Sequence, residues 1–173
     1  MATLLRILRL LSIVVWVGGI IFFAFVVAPV AFGTLPSTHE AGMVVGGTLR
    51  VLHVMGLISG AIFALCTAVL FKQAPHATRG RYESQILLTA VMLAATAYLQ
   101  FNVLPSMERD RTAAGGDIDA APKTALPRLH FERLHIRSER VEGAILLCGL
   151  GILLLMGRES LPTPQAPTQP VSS

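Results

Sequence analysis

Apolar positions along this chain are gathered into four long runs that short polar connections separate. The first gap between formally charged side chains extends from Arg9 to Glu40, and its core, residues 10–32, holds 23 mostly apolar residues. A hydrocarbon layer about 30 Å thick is crossed by a helix of about 20 residues, because each residue adds about 1.5 Å. The sequence therefore predicts four membrane spans, at residues 10–32, 51–71, 85–104 and 141–157.

These runs predict an all-α integral membrane protein, an up-and-down four-helix bundle that occupies residues 1–157. Arginines on one face of the last helix, ahead of its apolar half, predict an amphipathic extension of that helix beyond the membrane. The Pro-rich tail, residues 158–173, is predicted to be disordered, because it offers too little apolar surface to fold. No polar stretch is long enough to form a separate soluble domain.

Local signals predict where the helices begin and end. Ser37 to Glu40 has the S-x-x-E form of a capping box, which predicts that the second helix starts at Ser37. Pro29 predicts a bend at the end of the first helix, and the third helix is expected to end at about Leu104, before Pro105. The connection at residues 113–122 is rich in alanine and glycine and is expected to be flexible.

The charge distribution indicates a membrane surface as the partner of this chain. The net charge is +4 and the sequence pI about 9.7, but the basic residues flank apolar runs, so nucleic acid is not an expected partner. Arg6 and Arg9 before the first span, with the short loops, favour a bacterial inner membrane with both termini in the cytoplasm. The first apolar core is too long for a cleaved signal peptide. Cys66 and Cys148 lie in apolar runs and are expected to be reduced thiols.

Up-and-down connectivity brings polar residues of all four spans to one side of the membrane. Gln100 and Asn102 differ by two positions, so at most one of them can point inward. The opposite halves of the spans, such as residues 58–71 and 144–156, are almost without polar side chains. We therefore predict a polar vestibule at one membrane face, with the candidate residues His53, Asn102, His135, Ser138 and Glu142.

Small residues recur every fourth position along the second span. This spacing lets another helix approach closely, either within the protein or across a homo-oligomer interface. The candidate packing positions are Gly56, Gly60, Ala64 and Ala68.

Several segments along the chain, taken in order, resemble the transmembrane protein 205-like family over about residues 14–155. The resemblance implies a four-helix integral membrane protein whose bacterial members have no assigned reaction. Glu142 stands where the family pattern usually has an asparagine, so no role of that amide transfers to it. The segments are Trp16-Val17-Gly18-Gly19, Phe22-Phe23, Ala28-Pro29, Leu35-Pro36, Ala41-Gly42, Asn102, Pro105, Phe131, Leu134-His135 and Ser138.

Three hypotheses of function follow, and none of them is enzymatic, because the chain has no H-E-x-x-H, C-x-x-C or P-loop motif. In the first, the vestibule binds a small solute or cation, with Glu142 supplying charge. In the second, His53 and His135 hold haem or copper; this rests on a fainter resemblance of the W-V-G-G segment to copper-handling and haem-binding membrane proteins. In the third, the protein is a structural or assembly partner. The first hypothesis is preferred, with no metal or cofactor expected.

Overall fold

The computed structural model describes residues 2–159 and folds them into four long helices, with no strand in that part of the chain. Two helices are uninterrupted: α2 (Thr38–Gln73) and α4 (Leu126–Glu159). The other two each contain a π-helical turn. These are α1 (Ala2–Phe22, the π turn Phe23–Val27, then Ala28–Thr34) and α3 (His76–Tyr98, the π turn Leu99–Val103, then Leu104–Ala113).

All four helices are long and apolar enough to cross a membrane, which indicates a multi-pass membrane protein and confirms the all-α fold class. Their outer surface carries large apolar side chains at high exposure, among them Phe25 (72%), Leu65 (68%) and Leu154 (71%). A water-soluble protein rarely leaves so much apolar surface exposed, whereas a lipid environment stabilises it. The Pro-rich tail, apart from its first residues, lies outside the described residues.

Both π turns end two residues before a proline, Pro29 in α1 and Pro105 in α3. A proline ring collides with the carbonyl four residues before it, and here that carbonyl belongs to the π turn, where the helix is wider. The helix therefore passes each proline. The expected end of α3 at Leu104 is wrong, since α3 continues to Ala113.

The first helix packs on the second through an indole ring that lies on small residues. Trp16 of α1 is 2% exposed, and a Cβ atom on either Gly56 or Gly60 of α2 would collide with its ring. The first two positions of the small-residue row thus serve packing within the chain, while Ala64 and Ala68 are half-buried.

The start of α2 and the first half of α4 follow their sequence signals. The Glu40 backbone N–H donates to Ser37 Oγ at 3.1 Å, which confirms the helix cap. Leu134 and Ser138 on one face of α4 are buried, whereas Arg133, Arg137 and Arg140 on the other are exposed. The amphipathic pattern therefore predicted the buried face correctly. Both cysteines are free thiols.

The connection between α3 and α4 is folded against the ends of the helices. Gly115 and Gly116 adopt φ values of 85° and 98°, which favour glycine, and Ile118 is 7% exposed. The Arg128 guanidinium donates to the carbonyls of Asp119 and Ala121, each at 2.8 Å. The segment therefore lies against the ends of α2 and α4, and its expected flexibility stays a prediction.

Candidate functional site

A buried histidine joins three of the four helices. His53 of α2 is 3% exposed, and its Nδ1 lies 3.2 Å from the Gln100 amide oxygen in the π turn of α3. Its Nε2 contacts the carboxylate of Glu142 in α4. Connectivity alone predicted that His53 and Glu142 meet at the same end of the molecule, and the structure brings them into contact.

Each ring nitrogen of His53 lies at a polar side chain: Nδ1 at the Gln100 amide and Nε2 at the Glu142 carboxylate. Either nitrogen can donate, according to the tautomer of the ring. A buried histidine with a partner on each side costs less free energy at membrane depth than one without partners.

Asn102, predicted as part of the vestibule, lies on the outside. Its side chain is exposed, and its backbone carbonyl accepts a hydrogen bond from Ser106 Oγ at 2.7 Å. Gln100 occupies the inward position instead. The candidate residue Asn102 is therefore corrected to Gln100, in agreement with the rule that only one of the two can point inward.

His135 and Ser138 lie on α4 at the level of the entrance, away from His53. The His135 side chain is 50% exposed, with Nε2 3.2 Å from Glu139 Oε1, and its ring stacks on Phe131 at 6.4 Å between centroids. Ser138 is buried, and its hydroxyl donates to the His135 carbonyl at 2.8 Å. The seven residues from His135 to Glu142 span about 10 Å of helix, so His135 and His53 occupy different depths.

A cleft of about 900 Å³ opens between α1, α2, α4 and the end of α3, and Glu142 lies among its lining residues. One wall is an apolar stripe of α1. His53 is not among the described residues that line the cleft, because it lies behind Glu142. The prediction that His53 lines the vestibule is therefore wrong. The α1 stripe consists of Ile20, Ala24, Ala28 and Phe32.

Carboxylates outnumber guanidinium groups among the residues that line the cleft. Five carboxylates and three guanidinium groups line it, and two of the guanidinium groups, those of Arg111 and Arg128, pair with Glu108 and Glu132 at 2.7 and 3.1 Å. The potential inside therefore favours a cation over an anion. The carboxylates are Glu108, Asp119, Glu132, Glu139 and Glu142, and the guanidinium groups are Arg50, Arg111 and Arg128.

The α3–α4 connection lies over the entrance of this cleft. Ile118 and Asp119 are lining residues, and Asp117 next to them pairs with His39 of α2 at 3.5 Å. At the ends of α3 and α4, His130 contacts Asp110 at 2.7 Å. The connection therefore lies at the end of the cleft, and its pair with His39 joins it to α2.

A family model for a domain of unknown function, DUF4149, matches residues 11–114, which is more than half of the 173-residue chain. The chain belongs to the DUF4149 family. No curated protein and no solved structure matches it. The matched part of this DUF4149 protein includes His53 and Gln100, whereas Glu142 and the rest of α4 lie beyond its end.

The haem or copper hypothesis requires a histidine nitrogen that is available to a metal. In this DUF4149 protein both ring nitrogens of His53 are engaged, one with Gln100 and one with Glu142. Within residues 2–159 no group of three or more His, Cys, Asp and Glu side chains is arranged to hold a metal ion. The residues present therefore offer a hydrogen-bonded acid–base pair where the hypothesis needs a metal-ligating one.

The sequence reasoning missed a second buried polar site at the opposite end of the DUF4149 fold. Arg9 is 3% exposed; its Nη1 donates to the buried Gln85 Oε1 at 3.2 Å. The guanidinium lies over the rings of Phe63 and Tyr82, at 5.9 and 5.4 Å from their centroids. The prediction that polarity is concentrated at a single end is therefore wrong.

A sequence signal for this second site existed. Gln85, Thr89, Met92 and Thr96 recur with helical spacing, and all four are buried, so they form the inner face of α3. A glutamine on such a face needs a buried hydrogen-bonding partner. Arg9 is one of the partners of Gln85. Its position before the first span had indicated a membrane-flanking cation.

Proposed function

We propose that this protein is a non-enzymatic membrane protein that binds a small cation at Glu142 in the cleft. One observation carries the proposal: a carboxylate, backed by a buried histidine and glutamine, lies in a cleft that has apolar walls and an excess of acidic groups. A carboxylate at membrane depth is costly unless it is paired or has a use. Here its partner is the buried imidazole ring of His53.

The His53–Glu142 pair suggests how the site accepts a positive charge. While the cleft is empty, the His53 ring is the hydrogen-bonding partner of the carboxylate. A cation that reaches Glu142 from the cleft adds a partner of opposite charge on the open side of the carboxylate. Gln100 contacts the other ring nitrogen and holds the ring in place.

The cellular setting that fits this proposal is a bacterial inner membrane with both termini in the cytoplasm. Arg6 before the first span and the cationic residues Lys72, Arg79 and Arg81 after the second span favour that orientation. The cleft entrance, at the opposite ends of the helices, then faces away from the cytoplasm. The lipid bilayer is the proposed partner, and the resemblance to the transmembrane protein 205-like family is compatible with this setting.

The same packing bears on self-association. Gly56 and Gly60 are occupied by Trp16 of the same chain, so a homo-oligomer through these two residues would require α1 to move away. We propose that any homo-oligomer uses the lipid-facing surfaces of the helices.

The direct test measures binding of tetraphenylphosphonium, a probe cation, to the purified protein in detergent micelles by isothermal titration calorimetry. Binding to the natural protein and a loss of about tenfold in affinity in Glu142→Gln are expected, since a charge-assisted contact is removed. Glu83→Gln is the matched control, because Glu83 is an exposed carboxylate of α3 that does not line the cleft. Equal affinity of Glu142→Gln and the natural protein would contradict the proposal, as would an absence of binding.

A further inference from the structure

We propose that the cation bound in the cleft is a lipophilic organic cation, an amine or onium ion with a hydrocarbon body, and that it enters from the bilayer between α1 and α4. This inference deepens the proposed function and rests on it. It adds the chemical class of the ligand and the route by which the ligand reaches Glu142.

The route follows from where α1 and α4 touch and where they separate. A Cβ atom on Gly149 of α4 would collide with Val17 of α1, so the helices are in close contact at that level. From Ile20 of α1 and Leu146 of α4 outward, both helices line the cleft. The space between them from this level to the covered entrance is named the α1–α4 opening.

The α1–α4 opening lies at the depth of lipid. On α1 its edge consists of Ala24, Ala28 and Phe32, which belong to the stripe already described, and on α4 it consists of Gly143 and Leu146. All of these residues lie within the apolar spans predicted from the sequence at residues 10–32 and 141–157. Small side chains keep it wide, since a Cβ atom on Gly143 would have nothing within 4 Å. A molecule dissolved in the hydrocarbon layer can therefore reach the cleft sideways.

The aqueous route is more restricted than this lateral one. The α3–α4 connection covers the entrance with the buried side chain of Ile118, and it is tied down by Arg128 through two backbone carbonyls and by the Asp117–His39 pair. A water-soluble ligand would have to pass these contacts. A ligand already in the membrane would not.

The lining also selects the class of cation. A hydrated metal ion such as Mg²⁺ or Ca²⁺ needs about six oxygen ligands, whereas Glu142 lies between an apolar wall of α1 and the apolar residues Gly143 and Leu146. An onium ion or alkylamine is weakly hydrated, and its hydrocarbon part gains free energy by contact with apolar walls. Its positive charge pairs with the Glu142 carboxylate.

The test compares two carbodiimides that differ in solubility, applied to the protein in phosphatidylcholine vesicles. In the reaction the Glu142 carboxyl O–H adds across a C=N bond of the reagent; the oxygen bonds to carbon and the proton goes to nitrogen. The O-acylisourea then rearranges to a stable N-acylurea, and no atom is lost. The adduct on the Glu142 peptide is measured by mass spectrometry. Dicyclohexylcarbodiimide should label Glu142 about tenfold faster than a water-soluble carbodiimide.

Two glycines provide a matched pair of variants. Gly143→Leu places a side chain in the α1–α4 opening and should slow labelling by dicyclohexylcarbodiimide about fivefold. Gly18→Leu is the control, because Gly18 is an exposed glycine with open space around it on the lipid-facing side of α1. In Gly18→Leu, Glu142 should be labelled at the same rate as in the natural protein. Ala28→Leu, on the opposite edge of the opening, repeats the test if Gly143→Leu folds poorly.

The outcomes separate this inference from the function on which it rests. Equal labelling by the two reagents, or an unchanged rate in both opening variants, would overturn entry from the bilayer. If tetraphenylphosphonium still protects Glu142 in that case, cation binding stands and only the route is wrong. If the probe does not protect Glu142 from either reagent, the proposed function fails as well.

Discussion

Two buried polar sites occupy opposite ends of the same four helices, and they differ in what adjoins them. Around His53, the hydrogen-bonded group ends at Glu142, which faces an open cleft. Around Arg9, the guanidinium contacts the Gln85 side chain and two aromatic rings. Both sites satisfy polar groups away from water. The His53 site adjoins the cleft described above, so its surroundings, and not its residue types, make it the candidate binding site.

The largest expected effect on stability is at the Arg9 site. Arg9→Leu removes a hydrogen bond to the buried Gln85 and the contacts with the two rings, and should lower the free energy of unfolding by about 2–4 kcal/mol. Thermal unfolding in detergent measures the loss. The folded fraction should bind tetraphenylphosphonium as the natural protein does. If Arg9→Leu kept its natural stability but bound tetraphenylphosphonium less well, the Arg9 site would be a binding site and not a structural one.

Glycines at packed and open positions should respond differently to the same substitution. Gly60→Ala forces a Cβ atom into the ring of Trp16 and should cost about 1–3 kcal/mol of stability. Gly143→Ala, at an open helical position, should change it by less than about 1 kcal/mol, and the sign should be stabilising, since alanine favours helix. Unfolding midpoints of the two variants compare these positions directly. Similar midpoints would show that Trp16 does not pack there.

Removing the histidine should affect stability less than removing Arg9. His53→Ala leaves the Gln100 oxygen and the Glu142 carboxylate without their shared partner, which should cost about 1–2 kcal/mol. Water entering from the cleft can solvate Glu142, and this limits the loss. His53→Gln, which retains a hydrogen-bond donor, should recover part of it. An unfolding temperature lower in His53→Ala than in Arg9→Leu would contradict this order.

The smallest effect is expected at the covered entrance. His135→Ala removes a half-exposed contact with Glu139 and should change stability by less than about 0.5 kcal/mol. Tetraphenylphosphonium affinity, measured by calorimetry, should stay within about twofold of the natural value. A loss of affinity as large as that in Glu142→Gln would show that the cation binds at the entrance of the cleft and not beside Glu142.

The sequence predicted the elements that depend on local composition. Uninterrupted apolar length predicted the four helices, the hydroxyl of Ser37 predicted the start of α2, and the four-residue spacing of Gly56 and Gly60 predicted close packing. The meeting of His53 with Glu142 followed from chain direction alone, because antiparallel helices place those positions at the same end.

What the sequence did not predict depends on how the helices are rotated and joined. Within the π turn of α3, Gln100 points toward His53, whereas Asn102 is exposed. The same turn carries the helix past Pro105. The burial of Arg9 depends on rings contributed by two other helices, which spacing along α1 cannot reveal.

The central claim is that a cation binds beside Glu142 in the cleft. It is tested most directly by a crystal structure determined with tetraphenylarsonium, whose arsenic atom is located by its anomalous scattering. The account predicts an arsenic peak between α1 and α4, next to the Glu142 carboxylate, and its absence in Glu142→Gln. A peak only on the outer, lipid-facing surface, or one that persists beside residue 142 in the variant, would contradict it.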